Sequence, residues 1–260
     1  MLSFQSSHRR SGQRSSASLR RAIIASECHD AQPISRANVL MSSVRSKFST
    51  EDLHPGAAAT SRRLSEQQAR TFEGYIAEIL AACGLNLELP PTADTPRRFL
   101  QALLDATEGY EGDPKLVRVF DTECRGGSDC RLSQIIEGPI PFASLCEHHA
   151  FPFYGRVYIG YIPHEHIFGL SKLVRLVRLY TRRFAVQERI GRQIADTMVE
   201  ILQPHAVAVY VTARHMCTQM RGVRAVAPHT RTTVWRGEYE RNRSLRAEFL
   251  AACGVGQRTA

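Results

Sequence analysis

The sequence lacks any run approaching the roughly 20 apolar residues that a helix needs to cross a bilayer, so we do not expect a membrane protein. Acidic residues are scarce near the N-terminus. Residues 1–50 carry eight basic residues and two acidic ones, which accounts for +6 of the formal net charge of +9. The rest of the chain carries only +3. A nucleic-acid-binding body is therefore disfavoured, because its basic surface would have to lie within that remainder.

The seven cysteines are an odd number, which does not suit a closed disulfide framework. The N-terminal residues also lack the sustained apolar core of a secretory signal peptide. We therefore expect a reducing, cytoplasmic location, where clusters of Cys and His are interpreted first as metal or catalytic sites. The alternative is an organelle, if the Ser/Arg-rich and acid-poor residues 1–40 act as a transit peptide.

Composition and apolar periodicity divide the chain into two parts. Residues 1–60 are rich in Ser and Arg and lack a period, which predicts a disordered extension. The folded domain is expected over 61–260, with N-terminal helices in 65–110 and the site-bearing part in 130–252. Ser65 is a suitable cap for the first helix because a Gln follows three residues later, and Pro96 suits the first turn of the second.

The site-bearing part alternates hairpin-like strands with long helices, which predicts an α+β fold with an antiparallel sheet. Residues Tyr154–Ile162 are apolar at both odd and even positions, as expected for a strand buried on both faces. The other predicted elements are strands in Leu132–Ile162, Ala206–Val211 and Thr230–Trp235, and helices in Gly169–Arg183, Val186–Leu202 and Leu245–Ala252.

A metal site is predicted at Cys146 and His149, whose spacing puts both side chains on one side of a single turn. Cys217 supplies a third ligand, and thiolate and imidazole are preferred zinc ligands. Three protein ligands leave a position for water, which is typical of catalytic zinc. Two alternatives remain open: a structural zinc with a fourth ligand from His148 or His215, and a rival ligand pair formed by Cys124 and Cys130.

Two further groups of residues suit parts of a nucleotide. Ser171, Lys172 and Arg175 fall near the start of a predicted helix, where side-chain cations and free N–H groups bind phosphate. A solvated basic helix face is the alternative. Gln187 and Glu188 begin the next predicted helix, where the helix dipole alone explains the carboxylate. That carboxylate could also accept hydrogen bonds from a purine.

Taken together, these residues resemble the GTP cyclohydrolase I family over roughly residues 66–251. The similarity lies in five motifs, in the family's order: Asp94–Arg98, Phe142–His149, Gly169–Arg175, Val186–Arg189, and His215–Cys217 with Arg221-Gly222. The resemblance implies a T-fold, in which two long helices cover one face of an antiparallel sheet after an N-terminal helical region. It also implies a decamer of two pentamers with active sites at the subunit interfaces.

The resemblance further implies hydrolysis of GTP at C8 of the guanine, giving 7,8-dihydroneopterin triphosphate and formate. The implied roles are zinc binding by Cys146, His149 and Cys217, proton transfer by His148 and His215, guanine recognition by Gln187 and Glu188, and triphosphate binding by Ser171, Lys172, Arg175, Arg221 and Arg98, the last from a neighbouring subunit. A non-catalytic assembly with a structural zinc is the competing hypothesis. It is disfavoured because it leaves one of the two histidines without a role.

Overall fold

The computed structural model describes residues 63–117, 119–122, 133–225 and 228–255. The predicted extension at residues 1–60 and the rival pair Cys124 and Cys130 lie outside these ranges. The helices are α1 (Glu66–Ala82), α2 (Thr95–Ala106), α3 (Leu170–Thr181), α4 (Gln187–Leu202), α5 (Met216–Gln219), α6 (Glu238–Arg241) and α7 (Arg243–Ala252). The strands are β1 (Phe120–Asp121), β2 (Ile135–Cys146), β3 (Pro152–Ile162), β4 (His166–Ile167), β5 (Phe184–Ala185), β6 (Ala206–His215) and β7 (Thr230–Gly237).

Five strands form the main sheet, in the order β5-β2-β3-β6-β7. Every neighbouring pair is antiparallel except β2 and β5, which run parallel. The short strands β1 and β4 form a separate antiparallel pair. The α+β class and the mainly antiparallel sheet that the sequence predicts are confirmed.

Strand β6 shows how the sheet separates two apolar cores. Its odd-numbered residues from Val207 to Ala213 join the larger core, together with Leu173 and Leu176 of α3 and Ile190 of α4. Its even-numbered residues from position 206 to 210 face a smaller core that contains Phe249 of α7. Because side chains alternate along a strand, this division requires apolar residues at nearly every position. Strand β3 follows the same rule, as its sequence predicts.

Two glycines allow helices to lie close to the sheet. A Cβ atom built at Gly160 would lie 2.6 Å from Cδ2 of Phe249 and 2.8 Å from the hydroxyl oxygen of Tyr239, so any side chain there would displace the smaller core. A Cβ at Gly191 would lie 3.2 Å from Cγ2 of Val234. The close contact between α4 and β7 therefore accompanies a glycine that costs about 1 kcal/mol of helix propensity relative to alanine.

Helices α1 and α2 begin where the sequence predicts. The Ser65 hydroxyl accepts a hydrogen bond from the Gln68 backbone, and the Gln68 side chain accepts one from the Ser65 backbone, so the capping box is complete. No residue of α1 is buried, and Phe72, Tyr75 and Ile79 are 38%, 55% and 61% exposed. The apolar stripe of α1 thus stays largely uncovered by the described part of this chain. None of the described helices is both long and apolar enough to traverse a membrane.

Candidate functional site

A single tight turn between β2 and β3 carries Cys146 and His149. Strand β2 ends at Cys146, whose carbonyl accepts hydrogen bonds from the N–H groups of His149 (3.3 Å) and Ala150 (2.8 Å). Ala150 adopts a left-handed conformation with φ of 56°, which residues other than glycine adopt rarely. The chain then returns as β3. This helical turn brings the two side chains to the same side, as their spacing predicts.

Strand pairing brings Cys217 to the same place. Phe153, near the start of β3, pairs with His215 at the end of β6, so the short helix α5 begins beside the turn. The ligand atoms of Cys146, His149 and Cys217 all lie within 4.8 Å of one another. Both cysteines are buried. Burial raises the pKa of the Cys217 thiol, and the adjacent Cys146 sulfur raises it further. A thiolate at Cys217 is therefore unfavourable here unless a cation stabilises it.

Neither His148 nor His215 joins this group among the described residues. The Nδ1 atom of His148 lies 3.8 Å from the Cys146 sulfur, on an exposed side chain. The His215 ring stacks on Phe153, with centroids 4.6 Å apart and planes 4° from parallel. Its Nε2 lies 2.9 Å from Oε1 of Gln187. Burial lowers the pKa of His215, and the charge of Glu188 partly offsets this effect.

A cavity of about 460 Å³ is lined by the three candidate ligands, by His148 and His215, and by the start of α4. Gln187 is 1% exposed, whereas Glu188 is exposed at the first turn of the helix. Glu188 therefore presents a carboxylate to the cavity. The lining residues are Cys146, His148, His149, Ala185, Val186, Gln187, Glu188, His215, Cys217, Thr218, Val223, Ala225, Pro228 and Thr230.

The cationic residues predicted to bind phosphate do not line this cavity. Ser171 is exposed on the first turn of α3. Lys172 is buried, and its Nζ donates to the carbonyl of Lys115 at 3.1 Å. Arg175 forms an ion pair with Asp113, with a nitrogen–oxygen distance of 3.2 Å. Within the described residues of one chain, the candidate metal ligands and the α3 cations thus lie in separate places.

The two remaining arginines are also outside the cavity. Arg98 lies on α2 and forms an exposed ion pair with Asp94 at 3.2 Å. Arg221 is exposed just after α5, four residues beyond Cys217. Arg221 therefore follows directly on the segment that carries Cys217, whereas Arg98 belongs to the N-terminal helices.

Comparison with known proteins identifies the family. A family model described as GTP cyclohydrolase I matches residues 55–254. The chain belongs to the GTP cyclohydrolase I family. It is therefore an enzyme of the GTP cyclohydrolase I class, and the resemblance carried by its five motifs is confirmed.

Curated relatives of the GTP cyclohydrolase I family agree with this assignment. GTP cyclohydrolase 1 of Campylobacter curvus is 38% identical over 189 residues, which cover 73% of this chain and 97% of that protein. The protein of the same name from Nitrosospira multiformis is 42% identical over 158 residues, or 61% of this chain and 81% of its own. GTP cyclohydrolase 1 of Saccharomyces cerevisiae is 36% identical over 191 residues, which cover 73% of this chain and 76% of that protein.

Two contacts that shape this GTP cyclohydrolase I site were not predicted from the sequence. Glu147, inside the turn that carries the candidate ligands, accepts two hydrogen bonds from Arg189 of α4, at 2.6 and 3.0 Å. This bidentate ion pair ties the turn to the helix that carries Glu188. The Thr218 hydroxyl donates to the His215 carbonyl at 2.9 Å. The opposite charges of Glu147 and Arg189, each within a motif, are the signal that could have indicated the first contact.

Proposed function

We propose that this chain hydrolyses GTP at C8 of the guanine ring, releasing formate and forming 7,8-dihydroneopterin triphosphate, with zinc as its cofactor. One observation carries the proposal. Three candidate metal ligands, two histidines and an exposed carboxylate border a single cavity of about 460 Å³. Ring opening of a purine needs an activated water, proton transfer and a way to hold the base, and these groups can supply all three.

The donor set fits zinc. Two thiols and one imidazole are preferred zinc ligands, and three protein ligands are typical of a catalytic site. Cys146, His149 and Cys217 would hold the ion, and its charge would offset the burial that disfavours the Cys217 thiolate. Zinc in such a site supplies a Lewis acid that makes water nucleophilic near neutral pH.

Glu188 is suited to hold the guanine. An ionised carboxylate only accepts hydrogen bonds, and the N1–H and 2-amino groups of guanine only donate them. Glu188 is exposed, lines the cavity and is favoured in the first turn of α4 by the helix dipole. His148 and His215 border the same cavity and would transfer protons to and from the ring atoms of the base.

The triphosphate would be bound by Ser171, Lys172, Arg175, Arg221 and Arg98. Because the α3 cations lie outside the metal cavity of their own chain, we propose that they complete the site of a neighbouring copy in a decamer of two pentamers. The exposed apolar residues of α1 support assembly, since Tyr75 and Ile79 are each more than half exposed. The ion pair between Arg175 and Asp113 would give way to phosphate in such a site.

Incubation of the zinc-loaded protein with GTP tests the proposed function. We expect formate and a pterin that fluoresces after oxidation, in equal amounts, with the loss of one GTP for each. The control is the same protein after chelation of the metal and removal of the chelator, which should regain activity when zinc is restored. Well-folded, zinc-loaded protein that yields neither product would rule the proposal out.

Arg175→Ala should raise the KM for GTP by roughly 10- to 100-fold, because a hydrogen bond to a charged group contributes about 1.5–3 kcal/mol. The kcat should change little if phosphate contacts are equal in the ground state and transition state. Arg178→Ala is the matched control, since Arg178 is an exposed arginine one turn further along α3. Steady-state kinetics with GTP measures both. Equal KM values for the two variants would contradict the assignment of Arg175.

A further inference from the structure

The amide of Gln187 has partners that fix its orientation. Its Nε2 atom lies 3.2 Å from the carbonyl oxygen of Val211, 3.1 Å from that of Thr230 and 3.3 Å from the hydroxyl of Thr232. Carbonyl oxygens only accept hydrogen bonds, so the nitrogen of the amide and not its oxygen must face them. The NH2 group therefore donates its hydrogen bonds to strands β6 and β7.

The amide oxygen of Gln187 consequently faces His215. Oε1 lies 2.9 Å from Nε2 of the imidazole, and an amide oxygen can only accept. His215 must therefore donate from Nε2 to keep this bond. Its Nδ1 is then the ring nitrogen that can exchange a proton without breaking the contact. Phe153 stacks on one face of the His215 ring, with centroids 4.6 Å apart, and so restricts its tilt.

From these contacts we infer that Gln187 is a positioning residue that orients the ring of His215, rather than a direct ligand of the purine. The inference rests on the proposed function and revises the guanine-binding role that the family resemblance implies for Gln187. Gln187 is 1% exposed, and both hydrogens of its amide are used within the protein. The next residue, Glu188, is exposed and borders the same cavity, so it is the group available to the base.

The location of Gln187 explains how it can hold the ring in place. It is the first residue of α4, and its side chain crosses to the backbone of β6 and β7 before reaching His215 at the end of β6. Both ends of the hydrogen-bonded chain are therefore anchored in the main sheet. A histidine that transfers protons at a fixed ring nitrogen gains from this support, because a rotated ring would present the wrong atom.

Steady-state kinetics of Gln187→Met in the assembled, zinc-loaded enzyme tests the inference. Methionine keeps the approximate volume and removes the hydrogen bonds of the amide to β6, to β7 and to His215. We expect kcat to fall by about 100-fold, the low end of the contribution of a general acid or base, with KM for GTP nearly unchanged. A large rise in KM with kcat retained would overturn the inference, because it would mark Gln187 as a substrate ligand.

A double-mutant cycle separates positioning from a general structural effect. If Gln187 acts through His215, adding Gln187→Met to His215→Ala should change kcat by less than about 2-fold. A full additional loss would overturn the inference. Gln193→Met is the matched control, a half-buried glutamine on the same helix, and should leave kcat and KM unchanged. If Gln187→Met does not fold, Gln187→Asn provides the same comparison with a shorter amide.

A second readout does not depend on turnover. Carbethoxylation of His215, followed by peptide mass spectrometry, should be faster in Gln187→Met than in the parent protein or Gln193→Met, because the released ring reacts more readily. An unchanged rate would overturn the inference. Failure of the parent protein to convert GTP would instead overturn the proposed function, while the rate of carbethoxylation would still decide the role of Gln187.

Discussion

Replacement of Cys217 by serine should remove the proposed zinc and the turnover of GTP together. A serine hydroxyl is a much poorer zinc ligand than a thiolate, and only Cys146 and His149 would remain of the described group. Loss of residues that merely support a metal ligand costs about 10- to 100-fold in affinity or activity, so loss of a ligand should cost more than about 100-fold. Zinc content after dialysis and the rate of formate release measure the two effects in one preparation.

Cys253→Ser is the control for Cys217→Ser. Cys253 is as buried as Cys217, but it lies in the smaller core, where burial raises its pKa to about 12. That thiol stays protonated and has no described partner among the candidate ligands. Cys253→Ser should therefore keep one zinc per chain and full activity. A Cys217→Ser protein that kept zinc through dialysis would show that the metal has a different set of ligands.

The long helices were the easiest elements to predict. Helix α4 occupies Gln187–Leu202, against a prediction of Val186–Leu202, because Ile190, Ile194 and Met198 recur on one face and all three are fully buried. Strand β2 was harder. Its Pro139 and Pro141 are unusual within a strand, and the sequence predicted strands only as a region, Leu132–Ile162, without their individual bounds. In the structure the strand continues to Cys146 across a shift in register between Glu137 and Ile140.

The grouping of the three candidate metal ligands was predictable, whereas their surroundings were not. The spacing of Cys146 and His149 within one turn is a local property, and a sequence records local properties directly. The contacts of His215 depend on the pairing of β3 with β6, which places Phe153 opposite it, and on Gln187, 28 residues earlier. Such contacts follow from strand register. Register is usually specified by the alternation of apolar and polar residues, but β6 is buried on both faces and lacks that alternation.

The α3 cations illustrate the same limit. Serine, lysine and arginine at the start of a helix predicted a phosphate site from local chemistry alone. The structure gives Arg175 a carboxylate partner 62 residues away, and it buries Lys172 against the segment that contains Lys115. A residue type that suits phosphate also suits a carboxylate or a carbonyl. Only the fold determines which of these partners lies within reach.

His148→Ala should retain zinc and lose turnover, whereas His149→Ala should lose both. The two histidines are adjacent, and their Nδ1 atoms lie 3.8 and 3.9 Å from the Cys146 sulfur, so distance to that sulfur does not separate their roles. Only His149 completes the described group with Cys217. If His148 transfers protons, its loss should lower kcat by about 100- to 10,000-fold with one zinc per chain retained.

His149→Ala is the matched comparison, with the same truncation one residue further along the turn. It should lose zinc and activity together, because it leaves two thiols as the only ligands of the described group. Metal content and formate release are measured for both variants. Both should lose activity, but only His149→Ala should lose zinc. Loss of zinc from His148→Ala with zinc retained in His149→Ala would reverse the assignment. The turn would then present the other imidazole to the two buried sulfurs.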